Sequence, residues 1–307
     1  MALTYDQVSA ITQKKFIPKL YDSIFDSNPL LQRAQSKGWY EKVDGGERIL
    51  VPLNYAQVSS AGWYTGAETL STADNQNITA AEYVWKQFYA NISINRIEEL
   101  KNSGDSQILA LVKQKVMIAE KTLEDNLGTG LYSDGTDTKS IVGLRDIIAT
   151  DQTVGGISQT TYSWWRGQVD STTTTLTIGA MQTIDNLCTV NSEMPTVVTT
   201  SRSLYNSYYA LLQPQQRFMD TETAKGGFSS LMFNSKPIIA DSHTPANHMF
   251  FINEKHIHLY AHKDEDMRFE PFQKPLNQNV KVAKIYWAGA LGSSNNRLHG
   301  KLSALTA

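Results

Sequence analysis

Between Gly104 and Leu127 the apolar residues Ile108, Val112, Val116, Ala119, Leu123 and Leu127 recur at spacings of three and four, which puts them on one face of a helix. Ser103 and Asp105 offer N-cap oxygens, and Gly128 stands where a glycine would end the helix. At 1.5 Å per residue the predicted element is roughly 36 Å long, about the width of a domain. A helix of that length with a single apolar stripe has to lie across a core. It predicts a spine on which the rest of the chain is mounted.

Upstream, the pattern changes to alternation. Ile49, Val51, Leu53 and Tyr55 share one face of a predicted strand, with Arg48 and Asn54 on the other. Pro52 inside it marks an edge, because proline cannot donate to a ladder. A matching strand is predicted over Val84 to Ile94, with Phe88, Ala90, Ile92 and Ile94 in phase and Lys86 breaking the pattern near its start. Between the two lies a polar stretch, 57–81, that carries Trp63 and Tyr64. A connection that long within a domain is usually functional. It reads as the far end of a two-stranded flap, and a lone two-stranded ribbon needs a partner surface.

Still earlier, residues 4–17 read as an amphipathic helix, with Thr4 and Gln7 in a capping-box pattern and Val8, Ile11 and Phe16 as its stripe. Pro18 interrupts it. Leu20, Ile24 and Phe25 form a second apolar set, which ends at Asn28-Pro29. Neither piece can bury its stripe alone, so the segment reads as an arm resting on something else.

After Gly143-Leu144-Arg145 the composition shifts to Thr, Ser, Gly and Gln through about residue 175. A mixed α/β pattern follows. One helix is predicted over Ile178, Met181, Ile184 and Leu187, and a buried strand over Thr196 to Thr200. A second helix runs through Leu204, Tyr208 and Leu212, with Ser201 or Ser203 as its cap. A Gly226-Gly227 loop then leads to short strands at Leu231–Phe233, Pro237–Ala240 and Met249–Ile252. Val280, Val282, Ile285 and Trp287 return to strand.

Composition narrows the class. Of 307 residues 41% are hydrophobic and 19% charged, ordinary for a folded chain and unlike a disordered one. With 28 basic and 30 acidic side chains the formal charge is −2, so no global positive field draws the chain onto nucleic acid. Cys188 is the single cysteine, which rules out an internal disulfide and a cysteine-based zinc site. The N-terminus lacks a basic and apolar leader pattern, and no stretch approaches the roughly 18 apolar residues of a membrane span. A soluble, cytoplasmically made protein is the expectation.

Five of the six histidines lie between His243 and His262. His256, His258 and His262 would share a strand face, yet at about 3.3 Å per residue His258 and His262 sit roughly 13 Å apart, too far to share one ion. His256 and His258, with Glu254 or Asp241, remain geometrically possible; a polar sheet face is the plainer reading. Gly227-Phe-Ser-Ser-Leu231 lacks the last glycine of a nucleophile elbow. Gly135-Thr-Asp-Thr-Lys-Ser140 lacks the glycine before lysine of a phosphate loop and reads as a turn. Asp264-Glu265-Asp266 lacks calcium-loop spacing and reads as a solvated acidic turn. Trp164 and Trp165 read as core. No residue is assigned a catalytic, cofactor or metal role.

The order of elements, with several strings, resembles the tailed-bacteriophage major capsid proteins of the Hong Kong 97-type fold. The strings are Ser140-Ile-Val-Gly-Leu-Arg-Asp146, Tyr162-Ser-Trp-Trp-Arg166, Pro195-Thr-Val-Val-Thr-Thr-Ser-Arg-Ser-Leu-Tyr205, and the run from Gly227 to Asp241 with a tight turn at Lys236-Pro237. The resemblance implies an α+β chain divided into an N-terminal arm (1–46), an extended β-hairpin E-loop (47–96), a peripheral domain with the spine helix (97–150 and about 262–290), and an α/β axial domain (about 151–261 and 291–307). It implies self-assembly into hexamers and pentamers of an icosahedral virion shell, with scaffolding and portal proteins as partners, a cement protein as a further candidate partner, and DNA enclosed without sequence-specific binding. An encapsulin-like compartment shares the fold. A soluble α/β hydrolase or metalloenzyme using the histidine cluster is the alternative from another class.

Two departures from relatives matter. The flap begins by about residue 47, which leaves no room for an internal scaffold of about a hundred residues, so a separate or previously cleaved scaffold is implied. Residues 57–81 contain no lysine, so the lysine–asparagine crosslink of some relatives is not expected. The tip residues Trp63, Tyr64, Thr65, Glu68 and Leu70 are the expected inter-subunit contacts.

Overall fold

A single helix, α3 (Asp105–Leu131), runs about 40 Å at 1.5 Å per residue. The computed structural model describes residues 28–73, 76–101, 105–212 and 231–306; the predicted arm helix over 4–17 and the Gly226-Gly227 loop lie outside them. Val112, Val116, Ala119, Leu123, Leu127 and Leu131 are all buried, the stripe expected of a spine. The helix does not stop at Gly128. That glycine sits inside the last turns because a Cβ there would stand 2.6 Å from Asn28 Nδ2 and from the His243 ring, so close approach rather than termination explains it.

The spine packs on β4 (Lys86–Asn95), where Ala90, Ile92 and Ile94 alternate inward. β4 is not the second strand of the flap. It pairs antiparallel with β14 (Val280–Ser293) over ten consecutive positions, from Val280 opposite Asn95 to Gly289 opposite Lys86. The flap strand β2 (Ile49–Asn54) pairs instead with β3 (Ile78–Tyr83), whose first four residues fall within the expected polar connection, 57–81. The predicted strand over 84–94 alternated well enough to suit either partner, and alternation does not identify the neighbour across a ladder.

β14 organises a five-stranded sheet. On its other edge it carries β12 (Ile257–His262) and β13 (Arg268–Gln273), and β1 (Tyr40–Val43) pairs parallel with β12. A six-stranded sheet has the order β7 (Gln168–Asp170), β15 (Gly300–Leu302), β11 (Met249–Ile252), β8 (Val197–Thr200), β10 (Lys236–Ala240) and β9 (Met232–Phe233). A small hairpin, β5 (Thr153–Val154) with β6 (Ile157–Ser158), lies between them in sequence. Two apolar cores result. One joins the spine, the five-stranded sheet and the flap base. The other joins α5 (Ile178–Cys188) and α6 (Arg202–Leu212) to the six-stranded sheet.

Local chemistry accounts for the boundaries. Ser201, of the two predicted caps, holds α6: its Oγ accepts from Leu204 N–H at 3.4 Å. Thr177 Oγ1 caps α5 by accepting from Ala180 N–H at 3.1 Å. The turn expected at Lys236-Pro237 falls two residues earlier, at Asn234 and Ser235, both left-handed with φ of 46° and 64°, the geometry of a tight hairpin. Lys236 is buried and opens β10, paired with Asp185 of α5.

Asn28-Pro29, read as a break, starts a helix. Asn28 Oδ1 accepts from Leu30 and Leu31 N–H at 3.2 Å each, and Pro29 takes the first position of α1 (Pro29–Lys37). Leu30, Leu31 and Ala34 are buried in the first core, and Arg33 grips Glu254 with two bonds of 2.5 and 2.9 Å. This stretch of the arm therefore has a seat on its own chain.

Candidate assembly surface

The flap is half docked. Its inner face, Ile49, Leu53, Ala81 and Tyr83, belongs to the first core. Gly155, in the β5–β6 hairpin, lies so close beneath Ala81 that a Cβ would be 2.7 Å from it, and Glu82 N–H donates to Gly155 O at 2.9 Å. Tyr83 Oη donates to Ser293 O at 2.8 Å and accepts from Ser293 N–H at 2.9 Å. The expectation of a ribbon with no resting place on its own body is thus corrected for its base. Alternation in β2 and β3 already supplied the apolar inner face that makes this docking possible.

The outer face is another matter. Leu50 and Ile78 are 62% and 77% exposed, with Arg48 and Glu82 paired across the strands at 2.5 Å. Past the strands the chain is pinned once more, where Tyr55 stacks on Trp164 with centroids 5.4 Å apart and donates its hydroxyl to Gln76 O. Beyond that clasp the five expected contact residues, Trp63, Tyr64, Thr65, Glu68 and Leu70, are all exposed. Trp63 is as open as it would be in an isolated peptide, and Tyr64 and Leu70 are 64% and 57% exposed. The fold brings them together only as neighbours on one loop. Large apolar side chains left exposed together on one loop depart from the usual surface of a monomer.

Trp85, at the flap's root, was not singled out in the sequence. Its indole N–H donates to Gly46 O at 2.8 Å and its ring meets His262 edge-on at 5.4 Å. Together they close the flap strands onto β12. An aromatic just before the break in alternation at Lys86 was the available signal. Trp165 is core as expected, its indole N–H donating to Val154 O at 3.0 Å. Trp164 is only partly buried, because its ring forms the floor under Tyr55.

The histidines are distributed rather than convergent. His243 lies between Asp241 (3.0 Å) and Asp125 of the spine (3.3 Å). His256 meets Ser294 Oγ at 2.9 Å and His258 meets Glu41 at 2.8 Å. His248 stacks on Phe250. Among the described residues no group of three or more His, Cys, Asp or Glu side chains could hold a metal ion. The 264–266 turn departs from its reading: the Asp266 carboxylate is buried, accepts from Tyr40 Oη at 2.6 Å and pairs with Lys42 at 2.7 Å. A cleft of about 520 Å³ opens beside the spine's C-terminus, and there Ser133 and Ser140 hydrogen-bond to each other at 3.2 Å. No helix among the described residues is long and apolar enough to cross a membrane.

No family model and no curated protein matches the sequence. Solved structures do match. The capsid asymmetric unit of cyanophage A-1(L) is 18% identical, with a TM-score of 0.62 over 89% of this chain and 92% of that one. The capsid of a native GTA particle is 10% identical, with a TM-score of 0.61 over 89% and 90%. The SrpI encapsulin of Synechococcus elongatus PCC 7942 is 12% identical, with a TM-score of 0.56 over 87% and 84%. The likeness extends over nearly nine tenths of the chain despite identities of 10–18%. The chain has the Hong Kong 97-type fold of tailed-bacteriophage major capsid proteins.

Proposed function

We propose that this chain is the major shell subunit of a tailed-phage virion, assembling into hexamers and pentamers that enclose double-stranded DNA. The observation that carries the reading is the flap. Its base is locked into the first core, while its tip presents Trp63, Tyr64 and Leu70 to solvent on a projection that ends beyond the Tyr55–Trp164 clasp. A rigid root with an open apolar tip suits a contact made by another copy. Heterologous contacts of that kind close into rings when the rotation permits, and obligate interfaces of roughly 2,000–5,000 Å² need such reach. Under this reading Thr65 and Glu68 form the polar rim of the contact, and DNA is held by containment, consistent with a near-neutral chain.

The same reading carries the division into arm (1–46), flap (47–96, of which β4 leaves the hairpin for the five-stranded sheet), peripheral region (97–150 and about 262–290) and axial region (about 151–261 and 291–307). Its partners are a separate scaffolding protein, a portal and, where the shell needs reinforcement, a cement protein. Its role is structural rather than catalytic.

Electron microscopy of the purified protein, with and without its scaffold, tests the proposal. Wild-type protein should form closed shells, and deletion of residues 60–78 should leave a folded subunit that forms none. Normal shells from the deletion mutant would remove the tip from the mechanism. The encapsulin likeness supports a second reading, a compartment shell around a protein cargo. Nuclease-protected DNA in particles purified from the native source favours the virion, and a co-purifying enzyme without DNA favours the compartment.

A further inference from the structure

Three strand ends meet at one end of the five-stranded sheet: the C-terminus of β4, the C-terminus of β13 and the N-terminus of β14. Arg96 follows β4 directly, and its backbone N–H donates to Asn279 O at 3.2 Å, fastening β4 to the 274–279 connection. Lys274 follows β13, and Lys281 is the second residue of β14. Between them lies a cleft of about 250 Å³ lined by Arg96, Lys274, Asn279, Val280 and Lys281. Three cations and no carboxylate line it among the described residues. The nearby Glu98 pairs with Lys115 at 2.7 Å, and Arg96, Lys281 and Glu98 each hold a further partner within the chain. In a chain whose formal charge is −2, this is a local concentration of positive charge.

We propose that this cleft binds a phosphate group. A guanidinium offers five donors and an ammonium three, so each cation can hold a partner within the chain and still point a donor at a ligand. A tetrahedral oxyanion accepts from several directions and carries enough charge for more than one cation. A planar carboxylate satisfies one of them and leaves the others close together. The cleft is larger than one phosphate ion, so a free phosphate and a phosphodiester of nucleic acid both fit. Neither depends on the shell assignment, because the cations converge within one chain.

Calorimetric titration of the full-length protein with inorganic phosphate, at ionic strength held constant with chloride, tests the site. Saturable binding is expected, weakened by about tenfold in Lys274→Gln and in Arg96→Gln. Lys284→Gln, away from the cleft on the same sheet, should stay within about twofold. Melting curves in chloride alone establish that each variant is folded. A short DNA duplex that competes with phosphate identifies the phosphodiester as ligand; phosphate binding without such competition identifies the free anion. Phosphate heat no greater than that of chloride, or unchanged affinity in both cleft variants, would overturn the site.

Discussion

His299 is fully buried at the junction of the two sheets, accepting from Asn253 N–H at 3.1 Å through Nδ1. Burial pushes its imidazole down to about 3. His248 is pushed down to about 4, first by burial and then by the charges of Arg145 and Lys301. An unfolded chain takes up both protons near the ordinary value of about 6.5. Between there and about 3 the unfolded state binds more protons than the folded one, so stability falls as pH drops through that window. Urea midpoints should decline from pH 7 to pH 4, and His299→Asn, which keeps an acceptor in place of Nδ1, should flatten that decline. An unchanged pH slope in the variant would show that burial of His299 is not the source. At the flap base, Tyr83→Phe strips both backbone groups of Ser293 of their partner. A loss of about 1–3 kcal/mol is expected in denaturant melts. Trp63→Ala, in contrast, touches a side chain with nothing packed on it. Subunit stability should move by less than about 0.5 kcal/mol, while shell yield falls if the tip is the contact.

At the scale of elements, the spine helix shows how a glycine can be read in two ways. Gly128 in an exposed helix would be a liability, and alanine would gain about 1 kcal/mol. Here Asn28 and His243 occupy the space, so Gly128→Ala should instead cost about 1–3 kcal/mol from overpacking. Thermal melting separates the two outcomes by sign. The same crowding ties three elements together, because Asn28 caps α1 and His243 bridges Asp241 to the spine's Asp125. The flap behaves likewise. Its first strand was legible from alternation, yet its docking required Gly155 and Ser293, residues far away in sequence that carry no periodic signal.

For the whole molecule, the two cores make different demands. Leu123 is fully buried in the first core, and Leu123→Ala should cost about 2–5 kcal/mol, loosening the seat on which the flap and α1 both rest. Light scattering should then show loss of particles together with loss of subunit stability, whereas a tip substitution should lose particles alone. That separation distinguishes a damaged subunit from a missing contact.

The spine, α5 and α6, the strands β8, β10 and β11 of the six-stranded sheet and the first flap strand were present in the residue pattern, because periodicity reports which face of an element is buried. The exposed tip was legible too, as aromatics stranded in a polar stretch. Pattern could not say that β3 rather than β4 completes the flap, since a strand's alternation identifies its face and leaves the neighbour along its edge open. Nor could it show that Gly128 lies inside the helix, or that Lys274, Lys281 and Arg96 converge from three strand ends. Those facts arise when residues distant in the chain compete for the same space, and only the folded arrangement settles that competition.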